Sequence, residues 1–196
     1  MRIIDKDNIL PNPSVLEDII ANHPFHGDLA NQLNTVTVRR PNQSEGVHIQ
    51  TGGNDITLVI FPLQSIDDQH RYLLYHEIGH VADRLNPAFK YCETIRENLS
   101  DRQRENYVEL WNLYIDARLN RLHIYRHSPG QFLRKLKDTV EFVERTHENQ
   151  LVERIDYLCK RGFCNPQIVH DIWNHPEKIY TFIDLVDIVK ENTIKA

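Results

Sequence analysis

No apolar run in this chain of 196 residues approaches the roughly 20 residues that span a bilayer, so no membrane is expected. The opening Met1-Arg2-Ile3-Ile4-Asp5-Lys6-Asp7 lacks the long apolar core of a secretory signal. Cysteine is scarce: Cys92, Cys159 and Cys164 are odd in number and form no Cys-x-x-Cys pair. This excludes a disulfide scaffold or a zinc ribbon, and no cysteine stands in a pattern with a fixed base for nucleophilic work. Positive charge is not in excess either. The net charge of -5 argues against nucleic acid as a partner, and the basic group Arg134, Lys135 and Lys137 reads as a solvated helix face. Internal repeats and low-complexity segments are absent. The expected location is therefore cytoplasmic.

What remains is an ordinary globular composition, 40% hydrophobic and 26% charged. The length suits one domain over 1–196. Residues 1–66 read as a helix-and-sheet part, with a short extended lead over 1–13. A helix from Ser14, serving as its cap, runs to about Asn22. His23-Pro24-Phe25-His26-Gly27 reads as a loop of surface histidines, with extra metal ligands as the rarer alternative. Thr35–Arg39, Val47–Thr51 and Ile56–Phe61 alternate or are rich in β-branched residues. They predict a small sheet of about three strands over 35–61, largely antiparallel and packed on the helix that follows. One edge of it could accept an extended peptide. Residues 67–126 hold two long helices. Residues 127–196 continue as helices over Phe132–His147, Leu151–Lys160, Pro166–Trp173 and Glu177–Lys190. The expected class is α+β, predominantly helical.

The chemistry concentrates at His76-Glu77-Ile78-Gly79-His80. Residues four apart share one face of a helix, so His76 and His80 can hold one metal ion. Glu77 sits beside the first histidine, where it can take a proton from water on that ion and return it later. Leu73, Leu74, Ile78 and Val81 supply an apolar side, Asp67-Asp68 a cap, and Asn86-Pro87 a stop. This His-Glu-x-x-His pattern is the mark of zinc-dependent peptidases. Asp83, one turn after His80, reads either as a hydrogen-bond partner of a ligand histidine or as a solvated acid paired with Arg84 or Lys90.

A catalytic zinc site usually takes a third protein ligand and leaves one position open. In the long helix after the motif, Asn112, Asp116 and Asn120 are spaced by four and form a polar line among apolar neighbours. Glu109 on the same helix is the main rival to Asp116, with Glu105 or a histidine from another segment behind it. A plain salt bridge from Asp116 to Arg118 or Arg121 is the alternative without a metal. For the oxyanion of an acyl-transfer intermediate, Tyr114, His123, Tyr125 and His127 are eligible donors, none singled out.

Trp111-Asn112-Leu113-Tyr114-Ile115-Asp116-Ala117-Arg118-Leu119-Asn120 resembles the Trp-Asn-x-x-x-Asp-x-x-x-Asn segment of a group of bacterial metallopeptidase domains. Those domains often lie beside von Willebrand A-like domains and carry His-Glu-x-x-His some thirty-odd residues upstream. The resemblance covers roughly residues 70–122. It implies a zincin-like fold, Asp116 as the third ligand, and Asn112 and Asn120 as groups that orient the ligands. The chain lacks the Gly-Thr-x-Asp pattern of aspzincins. It also lacks the third histidine of metzincins, near whose place stand Asn86 and Pro87. The expected function is a zinc metallopeptidase acting on a peptide or protein substrate, with His76, His80 and Asp116 on Zn²⁺ and Glu77 catalytic. A catalytically inactive zincin-like binding or regulatory protein is the alternative.

Overall fold

The computed structural model describes residues 1–42, 48–124 and 151–194. The chain divides into two compact units, Met1–Asn86 and Pro87–Ala196. As expected, it combines helices with a small sheet, and none of the described helices is long and apolar enough to cross a membrane.

In the first unit, strand β1 (Arg2–Asp5) leads through helices α1 (Ser14–Ala21) and α2 (Leu29–Gln32) to strand β2 (Thr35–Arg39). Strands β3 (His48–Gly52) and β4 (Asp55–Val59) follow, then helix α3 (Asp68–Leu85). The sheet order is β1-β2-β4-β3. β1 pairs with β2 and β2 with β4 in parallel, and only β3 and β4 are antiparallel. The expectation of about three largely antiparallel strands is thus corrected to four strands in a mixed sheet. The added strand is the lead segment, which pairs Ile3 with Val36. Parallel neighbours need a crossover rather than a tight turn, and α1 with α2 lies between β1 and β2 in sequence. β3 and β4 are joined by Gly53-Asn54, and Gly53 takes φ 65°, which costs a glycine little.

One face of this sheet is apolar. Val36 and Val38 of β2 and Ile56 and Leu58 of β4 are buried, as are Leu16, Ile19 and Ile20 of α1. α3 adds Leu74, Ile78, Val81 and Ala82 to the same core. Each Val, Leu or Ile among them contributes about 1.5–3 kcal/mol on burial. Local signals set the limits of α3. The Asp67 carboxylate accepts the His70 N–H at 3.0 Å. Asn86, before Pro87, leaves the helical region with ψ 111°. α1 departs from expectation in detail: Pro13 takes the capping position, and the Ser14 hydroxyl instead donates to Asn12 Oδ1 at 2.8 Å.

The described part of the second unit is helical: α4 (Glu93–Glu97), α5 (Asp101–Arg121), α6 (151–160), α7 (Pro166–Asn174), a 3₁₀ turn at Pro176–Lys178, and α8 (Phe182–Asn192). Ser100 and Gln103 form a reciprocal capping box at the start of α5. α5 ends at Arg121, five residues short of the expected limit at Arg126. The helix expected at Phe132–His147, and Arg134, Lys135 and Lys137, lie outside the described residues. The core is aromatic. The Trp111 ring lies 6.0 Å from Phe89, 5.6 Å from Tyr91 and 5.6 Å from Tyr107. Phe182 of α8 meets Tyr91 and Tyr107 edge-on. Buried Asn106 of α5 donates to the Thr193 hydroxyl at 3.0 Å and so ties down the end of α8.

Candidate metal centre

α3 carries His76, Glu77 and His80. At about 100° per residue, His76, His80 and Asp83 fall roughly half a turn away from the Leu74–Ile78–Val81 stripe. The apolar stripe thus leaves the histidine face of the helix outside the core of the first unit. The two imidazoles come together as the spacing predicts, with ring centroids 5.1 Å apart and planes at 73°. His76 and Glu77 are each only 9% exposed. Leaving such polar groups buried is costly unless they have partners. Asp83 is 2% exposed, so its reading as a solvated helix-end acid does not hold. Arg84, one of its expected partners, donates to the Thr51 hydroxyl of β3.

The loop histidine His23 is not on the surface, contrary to the expectation for it. It is 1% exposed, and its Nε2 lies 3.0 Å from the carbonyl oxygen of Tyr75, the residue before His76. Phe25 N–H approaches its Nδ1 at 3.4 Å. A carbonyl only accepts, so Nε2 carries the proton and Nδ1 offers its lone pair to Phe25. His23 therefore braces the helix next to a candidate ligand.

The remaining candidates lie on α5 in the second unit. Asp116 is buried, and Asn112 and Asn120 are half-buried. Asp116 has an ion pair with an arginine from another helix. Arg154 of α6 places Nη2 3.3 Å from Asp116 Oδ2, while its Nη1 binds Glu109 Oε2. The two rival third ligands are thus joined by one guanidinium. Arg118 covers the Tyr114 ring at 4.0 Å, and Arg121 pairs with Glu177 at 3.3 Å. Nothing in the sequence marked Arg154, since 38 residues separate it from Asp116.

Among the candidate oxyanion donors, the Tyr114 hydroxyl donates to the Ile179 carbonyl at 3.1 Å inside the second unit. His123 follows α5 with φ 59° and is exposed. Tyr125 and His127 lie outside the described residues. Cys159 and Cys164 are free and exposed, and Cys92 is free and half-buried. An open recess of about 520 Å³ lies elsewhere, on the sheet, among Thr35, Thr37, Gln50, Asp55 and Thr57.

Among the described residues, no three His, Cys, Asp or Glu side chains are gathered into a group that could hold a metal ion. The adjacent imidazoles of α3 are the pair that the fold assembles. Two neutral imidazole nitrogens with one carboxylate make a donor set that suits zinc, and His76 with His80 could supply the imidazole part. No protein-family model, curated protein or solved structure matches the chain.

Proposed function

We propose that this protein is a zinc-dependent hydrolase of peptide bonds, with a zincin-like fold. His76 and His80 would hold the ion, Asp116 would be the third donor, and Glu77 would move the proton. The observation that carries this reading is the imidazole pair, 5.1 Å between ring centroids, with the buried Glu77 carboxylate next in sequence on the same helix. The resemblance of residues 70–122 to bacterial metallopeptidase domains supports it, as does the burial of Asp116.

Zinc bound there supplies a Lewis acid that brings the pKa of water down to about 7 and polarises a carbonyl. The protein's own part follows from its side chains. The imidazoles must be neutral to offer lone pairs, so loading weakens as they protonate in acid. Glu77 accepts a proton from the attacking water and delivers it to the departing amine nitrogen. Its low exposure keeps bulk water from competing for that proton. His23 keeps the turn before His76 in place through the Tyr75 carbonyl.

The test is a pair of measurements on purified protein and its Glu77→Gln variant. Both should contain one equivalent of zinc, and only the wild type should cleave peptides in a proteolysis screen. Gln keeps the shape and removes the base, so a loss of at least about 10²-fold in turnover is expected. Equal hydrolysis by the variant would remove Glu77 from its role. Zinc retained by a wild type that cleaves nothing would favour the binding or regulatory alternative.

A further inference from the structure

Three rings follow one another along α3 at a spacing of four: Tyr72, His76 and His80. At about 100° per residue, Tyr72 falls within about 40° of His76 around the helix, on the side away from the Leu74–Ile78–Val81 stripe. The ring centroids of Tyr72 and His76 are 6.2 Å apart with planes at 41°. Those of His76 and His80 are 5.1 Å apart with planes at 73°. Both separations lie in the range of about 4.5–7 Å over which aromatic rings attract one another. The His76 imidazole thus has a ring neighbour one turn before it and another one turn after it.

Burial gives the first of these contacts its weight. Tyr72 is 8% exposed and His76 is 9% exposed, so the two rings meet in packed surroundings and not in water. The torsion that turns an imidazole about its Cβ–Cγ bond is broad and holds no plane by itself. A metal ligand needs a plane, because the nitrogen lone pair lies in the plane of the ring and must aim at the ion. A large ring packed against the imidazole supplies that restraint by contact.

We propose that Tyr72 is the positioning residue for His76 as a metal ligand: its ring, packed against the imidazole, sets the plane in which the His76 lone pair points. This rests on the metallopeptidase reading above and deepens it. The role belongs to the ring and not to the phenol hydroxyl. Tyr72 touches neither the ion nor the reacting atoms in this scheme, and both partners of the contact stand on one helix.

The test is metal affinity, read without turnover. Zinc would be titrated against a chromophoric chelator into wild type, Tyr72→Leu and Tyr72→Phe, with folding checked by circular dichroism. Tyr72→Leu keeps an apolar side chain and removes the ring. It should bind zinc about tenfold more weakly, the low end for groups that orient a ligand. Tyr72→Phe keeps the ring and should bind as wild type does. The visible absorption of bound Co²⁺ reports the arrangement of its ligands. It should change in Tyr72→Leu and stay as in wild type in Tyr72→Phe. A tyrosine that merely filled space would lower the melting temperature of Tyr72→Leu and leave that spectrum where it was. If Tyr72→Leu fails to fold, Tyr72→Met, whose flexible side chain fills irregular gaps, carries the same test.

Zinc affinity and a Co²⁺ spectrum in Tyr72→Leu equal to those of wild type would overturn the proposal and leave the metallopeptidase reading standing. A loss in Tyr72→Phe as large as in Tyr72→Leu would move the role to the hydroxyl and also overturn it. A wild type that takes up neither Zn²⁺ nor Co²⁺ would overturn both.

Discussion

At the scale of single residues, burial separates the histidines. His76 and His23 are nearly closed off from water, whereas His175 is exposed and pairs with Glu177 at 3.0 Å past the end of α7. His23 offers a direct test of a bracing role. Its two ring nitrogens meet one acceptor and one donor, so a single neutral tautomer serves both Tyr75 and Phe25. His23→Leu keeps most of the volume and removes both bonds. Losing an ordinary intramolecular hydrogen bond costs about 0.5–1.5 kcal/mol. Urea unfolding of His23→Leu should show a stability lowered by that amount, read as a lower midpoint with an unchanged slope. An unchanged midpoint would mean that His23 fills space and does nothing else for α3.

At the scale of elements, what could be read from the sequence was what is encoded nearby. The span of α3 was legible because its stop and start are adjacent to it: Asp67 caps, and Pro87 forbids continuation. The imidazole pair was legible for the same reason, since a spacing of four fixes a shared face whatever surrounds it. Strand direction was not. Alternation in Thr35–Arg39 says which side chains turn inward and is identical for parallel and antiparallel neighbours. β1, only four residues long, had no alternation to detect and is a strand because β2 offers it a partner. Arg154 was invisible because its acids are distant in sequence, 45 residues away for Glu109. The local rules make their own prediction. Asp67→Ala removes the α3 cap and should cost about 0.5–2 kcal/mol, while Asp67→Asn, which still accepts the His70 N–H, should cost a few tenths at most. Thermal or urea melts of the two variants separate capping from charge. Equal losses would point to the Asp67–His70 ion pair at 2.8 Å instead.

At the scale of the whole molecule, the donors named for zinc are distant in sequence, His76 and His80 on α3 and Asp116 on α5. No unfolded chain holds such a set in register, so the ion would bind the native state far better than the unfolded one. Binding and stability are then linked by mass action. Free zinc at a hundred times its dissociation constant adds about 2.7 kcal/mol. For a chain of this size about 1 kcal/mol moves the melting temperature by roughly 2–4 °C, so a rise of roughly 5–11 °C is expected. Alanine at His76 or His80 should abolish most of that rise. Glu77→Gln should keep it, because Glu77 is assigned to the proton and not to the ion. The contrast among these variants matters more than the size of any one shift. A rise that persists in the double variant His76→Ala/His80→Ala would mean that zinc binds elsewhere. A wild-type melt indifferent to zinc and to chelator would remove the metal from the account of this fold and the proposed hydrolysis with it.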